Sequence, residues 1–192
     1  MDQKKLIARS IARLIAPLSE AALNELAKIL VCTEVKKNQL FLKEGEVSKQ
    51  IGYVSKGIIR QFYYKNNKDI TEHFAYEDGL FLCIQSFIEQ KPTRVMVEAL
   101  ENTVVYGIPY EPLMELIAQD KELEFFYRRV LEMSLILSQM KTDSLRFETA
   151  NERYNRLLRE HPEVIRRVPL SHIASYLLMT PETLSRVRAN LS

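Results

Sequence analysis

The sequence predicts an α+β protein: a small antiparallel β-roll, jelly-roll-like, then one long helix and a short all-α C-terminal region. Three observations predict it. Short alternating segments separated by turn residues fill Thr33 to Tyr110. A four-three apolar spacing runs from Leu123 to Phe147. Pro169 to Ser192 hold two short helical periods joined across a tight turn. With 192 residues the chain buries a real core, and 27% charged residues with sparse Gly and Pro argue against long linkers.

Taken in order, the chain opens with Lys4 and Lys5 before an apolar-rich run. Arg9 and Arg13 interrupt the run, and Ile7, Ile11, Leu14 and Leu18 recur at helical spacing. This is an amphipathic helix rather than a leader, and the protein is expected to be cytoplasmic. Ser19 caps a second helix through Leu23, Leu26, Ala27 and Leu30 that ends near Val31. Strands are then predicted at Gln39 to Lys43 before E-G-E, Ile51 to Val54 before S-K-G, and Ile58 to Lys65 before N-N-K-D. Further strands are predicted at Ile70 to Tyr76, Val95 to Leu100 and Thr103 to Ile108.

The helical period returns with Leu113, Met114 and Ile117. From about Leu123, the residues Phe126, Val130, Met133, Leu137, Met140, Ser144 and Phe147 form the a/d seam of a coiled coil. Such a seam meets a copy of itself or packs on its own roll. Leu131, Leu135 and Ile136 offer a second apolar flank for the roll, which favours a homodimer. A further helix passes Tyr154, Leu157 and Leu158 and breaks at His161-Pro162. The resulting division is residues 1–120 for the roll with its N-terminal helices, 121–148 for the long helix and 149–192 for the C-terminal region.

In that region Ile173, Ala174, Leu177, Met179, Leu184 and Val187 give helix-turn-helix spacing. Thr180 caps the second helix, and Pro181 takes its first position, where a missing N–H costs nothing. The helix should run to about Leu191, with no wing after it. Leu184, Val187 and Leu191 share one face, leaving Thr180, Glu182, Thr183, Ser185, Arg186 and Ala189 toward solvent or double-stranded DNA. Arginine can bond both acceptors of guanine and glutamate can accept from the cytosine amine, so Arg186 and Glu182 are the candidate base readers. The competing reading is a surface ion pair between these two residues, worth a few tenths of a kcal/mol. Leu178 holds a turn position where glycine is usual, and its side chain resists a left-handed backbone.

The net charge of +2 does not by itself mark a nucleic-acid binder. Its distribution is more telling: from Asn151 onward there are seven arginines against four glutamates, and Arg166 and Arg167 are expected near phosphates. Cys32 and Cys83 form no C-x-x-C, so no metal or cluster site is indicated, and two buried free thiols are expected in preference to a structural disulfide. No H-E-x-x-H, G-x-S-x-G, Walker loop or G-x-G-x-x-G occurs, which argues against an enzyme.

The run I-A-S-Y-L-L-M-T-P-E-T-L-S-R resembles the I-A-x-x-L-G-x-(S/T)-x-E-T-x-x-R of the Crp/Fnr transcription regulators. E-R-Y-N-R-L-L and V-P-L-S-H-I-A-S-Y are similar to the branch of that family common in Bacteroidetes. The resemblance implies a cyclic-nucleotide-type sensor fold, with K-x-G-E from Lys43 and Y-V-S-K-G from Tyr53 on its early strands. It also implies homodimeric DNA binding, with RNA polymerase as a further partner and no membrane role. Where nucleotide-binding relatives carry a G-E pair and an Arg-Ser pair, this chain has Leu82 and Cys83, then Thr93 and Arg94. These four are the candidate ligand-binding residues. The family's ribose acceptor is missing, so no cofactor is expected, and an apolar effector or none competes with a cyclic nucleotide. The rival function is a ligand-binding or protein-interaction module whose helical tail only packs.

Overall fold

The computed structural model describes residues 2–189. Two helices lead in, α1 (Gln3–Ile15) and α2 (Glu20–Ile29), each started by a side-chain cap: Asp2 accepts from Lys4 N, and Ser19 accepts from Ala22 N. The inward face of α1 is Ile7, Ala8, Ile11, Ala12 and Ile15, whereas Leu14 is 40% exposed, so the expected stripe is rotated. Small alanines on that face let α1 approach its neighbours closely. Leu18 falls between the two helices and packs on the same core.

The roll comprises β1 (Val31–Val35), β2 (Leu40–Leu42), β3 (Gln50–Lys56), β4 (Ile58–Lys65), β5 (Lys68–Tyr76), β6 (Gly79–Phe81), β7 (Met96–Ala99) and β8 (Thr103–Pro109). Two four-stranded antiparallel sheets face each other, in the orders β1-β8-β3-β6 and β2-β7-β4-β5. Between β3 and β4 the chain turns at Gly57 with φ of +94°, where a Cβ would lie 2.4 Å from Thr103 Oγ1. Val31 starts a strand instead of ending a helix. A short helix, α3 (Ile84–Glu89), fills the gap between β6 and β7. Cys83 is buried and free as expected, but Cys32, on β1 at the edge of its sheet, is exposed.

Six helices complete the described residues: α4 (Tyr110–Gln119), α5 (Lys121–Phe147), α6 (Ala150–Glu160), α7 (Pro162–Arg167), α8 (Leu170–Tyr176) and, beyond a turn, α9 (Pro181–Ala189). Asp120 caps α5, and Thr149 with Glu152 forms a capping box on α6. The predicted end of the last helix near Leu191, and the place of Leu191 on its face, lie outside the described residues.

The long helix corrects the seam. Phe126 is fully buried and Val130 nearly so, in one core with α1, α2, α4 and the β3/β8 face, and Met133 packs against it. Ser144 is buried too, held by Glu148 and Arg156. The seam therefore turns toward its own protomer at Phe126, Val130, Met133 and Ser144 and is exposed at Leu137, Met140 and Phe147, with Phe125, Leu135, Ile136 and Leu145 exposed beside it. Leu135 and Ile136, expected against the roll, are 70% and 55% exposed. Apolar spacing shows that a stripe is buried; it does not say by what.

Candidate functional site

At the C-terminal end, Ile173, Ala174 and Leu177 bury against Leu184 and Val187, so α8 and α9 pack as a pair. Leu178 between them adopts φ of +51°, the left-handed conformation that its side chain disfavours. The turn is nonetheless closed by Leu178 N to Ser175 O at 3.1 Å and Met179 N to Ala174 O at 2.9 Å. Thr180 Oγ1 accepts from Thr183 N at 3.2 Å, which starts α9 with Pro181 first.

The face of α9 opposite Leu184 and Val187 carries Glu182, Ser185, Arg186 and Ala189 in solvent, with Thr183 half-buried beside them. Arg186 donates to Thr183 Oγ1 at 3.3 Å. The Glu182 carboxyl is held below its ordinary range mainly by the Thr180 hydroxyl and only last by the charge of Arg186. The anticipated ion pair thus reduces to a weak attraction, and both side chains are available to a ligand.

Arg166 is exposed and pairs with Glu163 at 2.6 Å. Arg167 departs from its expected place near phosphates. Its guanidinium reaches Glu77 at 2.7 Å and Glu101, both on the roll, and Glu163 at 3.5 Å. Those contacts push Arg167 further up and hold Glu77 down to about 2. The side chain is 18% exposed and clamps α7 onto the roll.

A second clamp lies beneath α8. Arg60 on β4, fully buried, bonds Asp69 with both terminal nitrogens, at 2.7 and 2.8 Å, and Glu98 through Nε at 2.7 Å. Its Nη1 also donates to His172 Nδ1 at 2.7 Å. Beside it Ser175 Oγ accepts from Thr71 N and donates to Asp69 O, closing part of the free edge of β5. Phe74 and Tyr176 stack at 5.3 Å.

The third feature is a cleft of about 650 Å³ between the roll and α5, within the range of small-molecule sites. Leu82, Cys83, Thr93 and Arg94 all line it, together with Glu72, His73 and Lys141. The Cys83 thiol is buried and pushed up to about 11, and it accepts from Gln61 Nε2 at 3.2 Å. Burial holds His73 down to about 4, and its Nε2 donates to Leu80 O at 3.3 Å, so the ring is neutral. Arg60 and Lys141 lie in no motif, and His172 and Ser175 lie inside the V-P-L-S-H-I-A-S-Y run without a role marked by it: each acquires its role only when distant elements meet.

Residues 32–120 match the cyclic nucleotide-binding domain. No curated protein matches the sequence. Among solved structures, FixK2 from Bradyrhizobium japonicum superposes with a TM-score of 0.69 at 19% identity, covering 85% of this chain and 84% of that one. The c-di-GMP-responsive global regulator CLP of Xanthomonas campestris gives 0.68 at 15%, over 90% and 91%. The catabolite activator protein of Thermus thermophilus gives 0.59 at 17%, over 95% and 86%. At these identities the likeness establishes the fold, a β-roll with a long helix and a C-terminal helical region.

The cleft does not fit a cyclic nucleotide well. Where the resemblance places a glycine and a carboxylate for phosphate and ribose, Leu82 brings an aliphatic side chain and Cys83 a neutral, weakly accepting thiol already engaged by Gln61. Among the described residues no cluster of His, Cys, Asp and Glu could hold a metal ion, and no helix is long and apolar enough to cross a membrane.

Proposed function

We propose that the chain is a homodimeric, sequence-specific DNA-binding regulator of the Crp/Fnr type, acting in the cytoplasm, with α9 as its recognition helix and the roll as its effector domain. One observation carries the reading: Glu182, Ser185 and Arg186 share a solvent face on a helix whose other face is buried and whose start is capped. A major groove admits such a helix. The shared fold with FixK2 and CLP supports it. Two copies would meet through the outer face of α5, where Phe125, Ile136 and Phe147 recur every eleven residues in the open.

The docking of α8 on β5 favours a second reading, a ligand-responsive module whose tail is structural. Selection of bound sequences from a random DNA pool separates the two. The regulator enriches an inverted repeat with half-site centres about 34 Å apart, one helical turn. A pool that stays random at low salt supports the structural tail and overturns the regulator.

A further inference from the structure

The cleft beside α5 holds two cations without an anionic partner. Arg94, at its mouth, has no hydrogen bond or ion pair among the described residues. Lys141, mostly buried on the opposite wall, donates to the backbone oxygen of Glu72, and its Nζ lies 5.2 Å from the Tyr176 ring centre. No carboxylate lies within ion-pairing distance of it among the described residues. Desolvation of that ammonium pulls the Lys141 pKa down, and the charge of Glu72 offsets this in part. The third cation, Lys91, is taken by Glu89 at 3.3 Å. His73 is neutral above about pH 4 and does not compete. The lining also carries apolar side chains, Leu80, Leu82, Ile84, Val130, Met133 and Leu137, alongside the polar Gln61, Gln85, Ser134 and Ser138.

We propose that this cleft binds an amphiphilic carboxylate, its head group between Arg94 and Lys141 and its hydrocarbon body along the leucines and Met133. A buried ammonium gains most from a partner that brings a full negative charge with it. The apolar side chains reward a hydrocarbon chain at about 25 cal/mol per Å² covered, which a small inorganic anion cannot supply. Lys141 also ties the cleft to the helix-turn-helix. Drawing its Nζ toward a carboxylate takes it from the Tyr176 ring and the Glu72 carbonyl, and Tyr176 belongs to α8. Occupancy therefore loosens α8 from the roll.

The proposal rests on reading the roll as an effector domain, and its test involves no DNA, so it fails or stands apart from the DNA-binding reading. The full chain is melted with submicellar sodium decanoate, with decanol, with acetate and with cyclic AMP. Decanoate at a hundred times its dissociation constant should raise the melting temperature by about 5 °C or more. Decanol and acetate should leave it within about 1 °C, and Arg94→Gln and Lys141→Met should each abolish the decanoate shift. Arg94 is exposed, so Arg94→Gln should melt like the wild type without ligand. Hydrogen exchange over residues 170–176 should accelerate with decanoate in the wild type and not in Lys141→Met. No shift with decanoate, an equal shift with decanol, or a shift that survives both substitutions overturns the proposal. So does an Arg94-dependent shift with cyclic AMP alone.

Discussion

Arg186 and Arg167 carry the same guanidinium into opposite settings. Arg186 stands in solvent and spends one donor on Thr183, whereas Arg167 is closed in by three carboxylates. Their substitutions therefore diverge. Arg186→Ala should cost about 1–3 kcal/mol on the selected DNA site and relax preference at one position per half-site, leaving the melting temperature alone. Arg167→Ala should lower the melting temperature instead, because Glu77, Glu101 and Glu163 lose their shared counter-charge. Titration of both variants against matched and scrambled sites, beside their melting curves, checks this. Equal affinity of Arg186→Ala for the matched site would remove it as a base reader. The sequence shows seven arginines at the C-terminal end without saying which are spent inside the protein. Glu77 and Glu101 lie far away in the chain and declare themselves only in the fold.

Element by element, legibility follows how sharply the ends are punctuated. The strand read at Ile58 to Lys65 forms with those same bounds, since Gly57 and the left-handed pair Asn66 and Asn67 leave the backbone no other place to turn. By contrast β1 and β6 bury one residue each and offer no alternation to read. The start of α9 is legible because Thr180 and Pro181 act locally. Of the cleft, the roll side was legible at Leu82, Cys83, Thr93 and Arg94, and the α5 side was not. The long helix itself is clear in the sequence, but its two apolar faces are told apart only by what packs on them. Ile136→Glu should therefore split the proposed dimer without harming the protomer, because Ile136 is 55% exposed and lies away from the core. Met133→Glu should destabilise the fold instead, by placing a charge against the core around Phe126. Sedimentation with parallel melting curves tells the two apart, and a wild type monomeric at tens of micromolar would refute the dimer. The turn before α9 gives a further expectation. Leu178→Gly relieves a left-handed leucine and should raise stability by about 0.5–1 kcal/mol, or roughly 1–4 °C in melting temperature. An unchanged or lower value would mean that the Leu178 side chain contributes more than its backbone strain costs.

At the scale of the molecule, two ionic clamps fasten the C-terminal helices to the roll, Arg167 at α7 and Arg60 at α8, and they differ in how they answer to protons. The Arg167 clamp relies on Glu77, whose folded pKa is depressed from 4.5 to about 2, so its contribution is present above pH 4.5 and fades as pH falls toward 2. The Arg60 clamp relies on His172 accepting at Nδ1, which requires a neutral ring. Burial first, and then Arg60, lowers the His172 pKa, while Asp69 and Glu98 facing the same ring act the other way. Because the folded value lies below the ordinary 6.5, the unfolded chain binds more protons in that window. This contribution is therefore complete above pH 6.5 and lost as pH falls below it. Acidification should release the clamps in sequence, the His172 contact first and the Glu77 contact later. Protection factors measured by hydrogen exchange should fall in α8 between pH 7 and pH 5, while those of β4 and β8 hold. His172→Gln keeps an acceptor for Arg60 without a titrating group and should abolish the α8 step. If α8 protection is flat from pH 7 to pH 5 in the wild type, or falls equally in His172→Gln, the Arg60 contact does not govern docking.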